Sequence, residues 1–360
     1  MSQFDSSGIR KVFDLAAKLE NPINLSIGQP DFPVPQNIKD AAARAIAEDR
    51  NGYSVTQGIA PLRDRLQADV GREYGHADRK VLVTSGTSGA LVLALMAVVN
   101  PGDEVILFDP YFVMYPSLVA MVGGRAVIVD TYPDFRIDVN RVADAITPRT
   151  KAILFNSPAN PTGAVAAEQD VRDLAELAAK HDVLLVSDEI YKAFCYDAPL
   201  ASPAKVNEQT LVIDGFSKTY GITGWRLGYA HGPTSLIESM TKLQQYTFVC
   251  APHPLQWACL EALDTDISPF VDQYRQKRDR LVAGLRDVYP LAEPGGAFYT
   301  FPQVPTSETA TAFVERAIAK ELLIIPGKIF SRRDTHFRIS YAAPDATIER
   351  GLEVLRNLAR

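Results

Sequence analysis

Short apolar runs separated by amphipathic stretches mark the middle of the chain. Lys80–Thr84, Glu104–Phe108, Arg125–Asp130, Lys151–Asn156, Val183–Asp188 and Leu211–Phe216 each predict a buried strand. Helical patterns lie between several of them. Gly89–Val99 is one. Glu168–His181 is another and sets Val171, Leu174, Ala175 and Ala178 on one face. Strand, helix, strand at this spacing predicts a mostly parallel sheet covered on both sides. Ligands of such sheets gather at the carboxyl ends of the strands. The last third differs. Long helical patterns, Asp266–Val288 and Asp345–Ala359, alternate with short strand candidates at Ala297–Phe301 and Phe337–Ser340. Asp345 is the expected N-cap of its helix, with Glu349 in or near the first turn, where negative charge suits the dipole. This part predicts a smaller α+β domain, against which the residues up to about Pro30 pack.

Composition narrows the classes. The chain has 360 residues, 47% of them hydrophobic, and a formal net charge of −6. That supports one large or two ordinary domains and argues against a nucleic-acid surface. Three cysteines, Cys195, Cys250 and Cys259, are too few for a disulfide framework and fit reduced thiols in the cytoplasm. The five histidines show no metal-ligand spacing, so no metal is expected. Met1–Glu20 reads as a polar, partly amphipathic arm without a signal-peptide core. The most apolar run, Ala90–Val99, is too short to span a bilayer and reads as a buried helix; no membrane association is expected.

The most informative stretch follows the last predicted strand: Gly215-Phe216-Ser217-Lys218-Thr219-Tyr220-Gly221-Ile222-Thr223-Gly224-Trp225-Arg226-Leu227-Gly228. A lysine after a strand is usually a solvated loop residue. Here glycines let the backbone approach a bulky group, while Ser217 and Arg226 supply a hydroxyl and a guanidinium fork suited to phosphate. A lysine beside other cations has a lowered pKa and attacks a carbonyl as a free amine. A second Gly-rich turn, Thr84-Ser85-Gly86-Thr87-Ser88-Gly89, joins a strand to a helix start, where free N–H groups make an anion site. An unliganded turn has the same pattern.

The lysine stretch resembles the Schiff-base signature of the class-I, aspartate aminotransferase-like, pyridoxal-phosphate-dependent aminotransferases of fold-type I. The resemblance runs from about Ile27 to about Ser340, with the motifs in the family's order. It implies a large domain, residues 31–250, with a mostly parallel seven-stranded sheet flanked by helices. Residues 1–30 and 251–360 form the small domain. It further implies pyridoxal 5'-phosphate held as a Schiff base on Lys218. Its phosphate is met by Gly86, Thr87, Ser88, Ser217 and Arg226, and by Tyr53 of a neighbouring subunit. Its pyridine nitrogen pairs with Asp188 and its phenolic oxygen with Tyr191 and Asn160. Phe112 stacks on the ring, where the family usually has Trp or Tyr. Arg338, with Gly28 and Asn160, holds the substrate's α-carboxylate. Tyr53 in that role requires a homodimer with shared active sites.

The implied activity moves an amino group from an L-amino acid to a 2-oxo acid (2-oxoglutarate, oxaloacetate or pyruvate) through a Lys218 aldimine and ping-pong kinetics. The same chemistry also serves a C–S β-lyase or cyclopropane formation. A ligand-sensing domain of a regulator would carry a DNA-binding module ahead of Ile27, and no helix-turn-helix pattern stands there. Some aspartate-selective relatives have a lysine near the place of Ser88, absent here. Lys328, Arg332 and Arg333 are alternative cations for an acidic side chain, or solvated charges.

Overall fold

The computed structural model describes residues 21–360. The expected N-terminal arm, Met1–Glu20, and that part of the expected small domain lie outside the described residues. The central sheet has seven strands: β2 (Lys80–Thr84), β3 (Glu104–Asp109), β4 (Arg125–Asp130), β5 (Thr150–Asn156), β6 (Leu184–Asp188), β7 (Leu211–Gly215) and β8 (Gly228–Gly232). Their order is β2-β8-β7-β6-β5-β3-β4. Only β8 is antiparallel to its neighbours, β2 and β7. The other six therefore end at one edge, and β8 begins there.

Helices cover both faces, as the apolar patterns require. In Glu168–Lys180 the buried residues are Val171, Leu174, Ala175 and Ala178, the predicted face. Full burial of Val171 and Leu174 contributes about 1.5–3 kcal/mol each. Helix Gly86–Val98 is apolar nearly all round because it packs between β7 and β8 on one side and helix Thr234–Thr247 on the other. On the opposite face, helices Gln36–Ala47, Ala60–Tyr74 and His253–Ala262 pack on one another.

A second group of short strands lies beside the sheet's carboxyl edge. Here β1 (Ile23–Asn24) pairs in parallel with β10 (Leu322–Leu323). In the neighbouring three-stranded sheet, β12 (Phe337–Ser340) lies between β11 (Ile325–Pro326) and β9 (Tyr299–Thr300). Helices Ser268–Leu285, Ala310–Ile318 and Asp345–Leu358 share an apolar cluster with them.

Two local expectations are corrected. Pro344, not Asp345, occupies the N-cap position of the last helix, without a side-chain cap. Asp345 and Glu349 instead pair with Arg280 at 3.0 and 3.4 Å, tying that helix to Ser268–Leu285 beside it. The strand expected to reach Phe216 stops at Gly215, because Phe216 opens a single helical turn, Phe216–Thr219.

Candidate active site

That helical turn presents the lysine. Phe216 is buried among Val212, Tyr220 and Leu227 and anchors the turn to the sheet. Lys218 points its Nζ toward the β1 side, where it donates to the Gly28 carbonyl at 2.7 Å. Burial lowers its pKa to about 8, helped by the positive charges of Arg338 and Arg226 and opposed by Asp188. About a tenth of the amine is then neutral at pH 7, far more than for an ordinary lysine.

The anion cup forms where β2 turns into helix Gly86–Val98. No side chain caps that helix, so its first N–H groups are left for a ligand. Gly86 has φ +68°, and a Cβ on it would lie 2.5 Å from Arg226 Nη2. Only glycine lets the guanidinium approach so closely. Arg226 is itself left-handed, at φ 57°, and donates from Nη1 to the Thr223 carbonyl at 2.9 Å. Thr87, Ser88 and Ser217 line the same hollow.

At the end of β6, Asp188 is buried. Its Oδ2 accepts from the Tyr115 hydroxyl at 2.8 Å and its Oδ1 from the Ile190 N–H at 3.3 Å. Burial raises its pKa to about 6, against the pull of those donors. Asn156, at the end of β5, donates to the Asp188 carbonyl at 2.9 Å and accepts from the Asn160 N–H at 3.0 Å. The Tyr191 hydroxyl lies 2.9 Å from that of Tyr299.

Arg338 comes from β12 and is 2% exposed. It donates to Asn160 Oδ1 at 2.9 Å and to the Ser26 carbonyl at 2.8 Å. Its guanidinium carbon sits 4.6 Å from the Tyr299 ring centre and 4.7 Å from that of Phe330. Among the described residues its Nε has no partner and no carboxylate pairs with it. A buried cation without a counter-ion is costly, and a planar fork matches a carboxylate.

Eleven of the predicted residues line one cavity of about 360 Å³: Gly28, Thr87, Ser88, Phe112, Asn160, Asp188, Tyr191, Ser217, Lys218, Arg226 and Arg338. Gly86 borders it through Arg226. Tyr53 stands apart, 85% exposed on the surface with Val55, Tyr246, Phe248 and Val249. Lys328, Arg332 and Arg333 do not line the cavity. Arg333 pairs with Asp130 and covers the Tyr132 ring. Sequence reading missed Tyr115, Asn156, Tyr299 and Phe330. Tyr115 follows Phe112 by one helical turn and Asn156 opens the Asn-Pro motif, so both had a local signal. Tyr299 reaches the site through strand pairing and Phe330 through the turn that follows β11.

The donor set fits pyridoxal phosphate: an uncapped helix start with Arg226 for a dianion, a buried carboxylate for a pyridinium, and an amine of lowered pKa for an aldehyde. Comparison with known proteins agrees. Residues 20–355 match the family described as aminotransferase class I and II. A probable aspartate aminotransferase of Methanocaldococcus jannaschii is 36% identical over 98% of this chain and 96% of its own length. The aspartate/prephenate aminotransferase of Thermus thermophilus is 38% identical over 95% and 92%. The solved structure of a Thermus thermophilus aspartate aminotransferase with maleate superposes with a TM-score of 0.94, at 36% identity over 99% of this chain and 98% of that one.

The chain thus belongs to the class I and II aminotransferase family, with its fold. It is a pyridoxal-phosphate-dependent transaminase, acting on amino acid and keto acid substrates. No helix among the described residues is long and apolar enough to cross a membrane.

Proposed function

We propose that the enzyme moves the amino group of an L-amino acid to 2-oxoglutarate, oxaloacetate or pyruvate by ping-pong kinetics, with Lys218 as the covalent anchor of the cofactor and the proton carrier. When bound, pyridoxal phosphate supplies an aldehyde that condenses with amines and a ring that takes up the electron pair of the substrate's α-carbon. Gly86, Thr87, Ser88, Ser217 and Arg226 hold its phosphate, Asp188 faces its ring nitrogen, Asn160 and Tyr191 its phenolic oxygen, and Phe112 its face. Arg338 takes the substrate's α-carboxylate, steadied by Asn160 and by the backbone at Gly28. That contact would set the α-carbon over Lys218 Nζ, whose neutral form would take the α-proton and carry it to the carbon that was the cofactor's aldehyde.

The observation that carries this reading is Arg338: a buried, aromatic-flanked guanidinium with no carboxylate partner among the described residues, opening into the same cavity as Lys218. The relatives named above are aminotransferases, which disfavours the lyase and regulator alternatives.

We further propose a homodimer with shared sites, in the cytoplasm. Tyr53, Val55, Tyr246, Phe248 and Val249 are all exposed, and Gln244, on the helix that carries Tyr246, donates to the Thr56 carbonyl at 2.6 Å, tying the two segments together. Such an apolar surface suits a second copy, which would receive Tyr53 at its phosphate cup. The three free cysteines suit a reducing compartment. The reading keeps two lobes: the seven-stranded sheet with its helices, and the short strands that carry Arg338.

The test is Lys218→Ala. Both half-reactions should stop, and borohydride should no longer fix the cofactor to the chain. Labelling of another lysine, or retained turnover, would overturn the assignment.

A further inference from the structure

Tyr299 opens the two-residue strand β9, opposite Ser340 of β12, which lies two residues along β12 from Arg338. It is fully buried and lines the cavity. Three contacts meet on it. Its ring lies under the Arg338 guanidinium at 4.6 Å. Its hydroxyl lies 2.9 Å from that of Tyr191. A Cβ on Gly28 would come within 2.6 Å of the same hydroxyl, so glycine there leaves room for it.

A tyrosine hydroxyl has one proton to donate. If Tyr191 gave its proton to Tyr299, none would be left for a ligand. The geometry favours the reverse. Arg338 lies over the Tyr299 ring, and a cation on a ring face draws electron density from the hydroxyl, making it the better donor. Burial raises the pKa of both hydroxyls, and Arg338's charge is the next influence on Tyr299, lowering it. Donation from Tyr299 then polarises Tyr191, whose own proton faces the cavity.

We propose that Tyr299 is a positioning residue: it donates to Tyr191, turns Tyr191's proton toward the cofactor's phenolic oxygen, and supports Arg338 with its ring. This rests on the roles proposed above for Tyr191 and Arg338.

The test is the pH titration of the visible absorbance of the cofactor-loaded enzyme. Tyr191→Phe removes the bond to the phenolic oxygen and should raise the midpoint. Tyr299→Phe should raise it in the same direction by a smaller amount, about half a unit or more. The double variant should titrate with Tyr191→Phe alone. In kinetics, Tyr299→Phe keeps the ring, so kcat falls while KM for the amino acid moves less than about two-fold. Tyr299→Leu loses the ring as well and should raise KM about three- to thirty-fold. An unchanged midpoint in Tyr299→Phe while Tyr191→Phe still shifts would overturn this proposal alone, as would additive shifts in the double variant. No shift in Tyr191→Phe would bring down the Tyr191 assignment itself.

Discussion

Two arginines serve one cavity from opposite surroundings. Arg226 stands at the solvent side of the cup, exposed, with one hydrogen bond to its own loop. Arg338 is buried between two aromatic rings and held by a side-chain amide and a main-chain carbonyl. An exposed cation loses little when its anion leaves, because water takes over. A buried one has no such replacement, so its energy depends on the anion being present. The cup therefore suits a ligand that stays attached by other means, whereas the Arg338 end suits one that arrives and leaves in every cycle and must be told apart from molecules without a carboxylate.

The comparison can be broken most directly at Arg338. Arg338→Ala should raise KM for every amino acid substrate by the equivalent of about 2–5 kcal/mol, and Arg338→Lys should recover only part of that loss, since an ammonium is not a fork. An unchanged KM would place the carboxylate elsewhere. Next in size is Asp188, which lines the same cavity. Its pKa is raised from 3.8 to about 6 by burial. Its favourable contribution is thus present below the unfolded pKa and is lost as pH rises through the folded one. Asp188→Asn should then stabilise the cofactor-free protein by roughly 3 kcal/mol at neutral pH and by almost nothing below about pH 4. Denaturant melts across that range would show it, and a constant difference at all pH values would refute it. Arg226→Ala should weaken cofactor binding by about 1.5–3 kcal/mol, read by equilibrium dialysis, and leave KM unaltered at saturating cofactor. The smallest effect separates the two sites by salt. Raising ionic strength shortens the Debye length from about 10 Å at 0.1 M to about 3 Å at 1 M. Cofactor affinity should fall a few-fold, while the amino acid KM holds nearly constant. Equal sensitivity at both ends would remove the distinction.

The same contrast governs what the sequence made legible. The cup and the proposed ring contacts sit within a few residues of strand ends, so Gly86, Asp188, Asn160 and Lys218 each follow an apolar run that announces them. Strand β8, Gly-Tyr-Ala-His-Gly, was not picked out, because it lacks an apolar run and depends on β2 and β7 for its form. At the Arg338 end the arginine was placed by resemblance, but its aromatic flanks were not. Tyr299 and Phe330 belong to separate segments: Tyr299 reaches Arg338 through pairing of β12 with β9, and Phe330 through the turn Gly327–Ile329 that follows β11, neither of which a local pattern encodes. The Asp345 cap failed for a related reason: its carboxylate is drawn to Arg280 of the adjacent helix, a tertiary partner.

The strip that follows β1 has a further consequence. Arg338 and Lys218 both donate to main-chain oxygens there, those of Ser26 and Gly28. Every amino acid brings that same oxygen, so an alanine scan through Ser26 and Ile27 would report on their side chains and not on these acceptors. Their role emerges only when the polymer itself is edited, by swapping the amide linkage after Ser26 or Gly28 for an ester, whose carbonyl is a weaker acceptor.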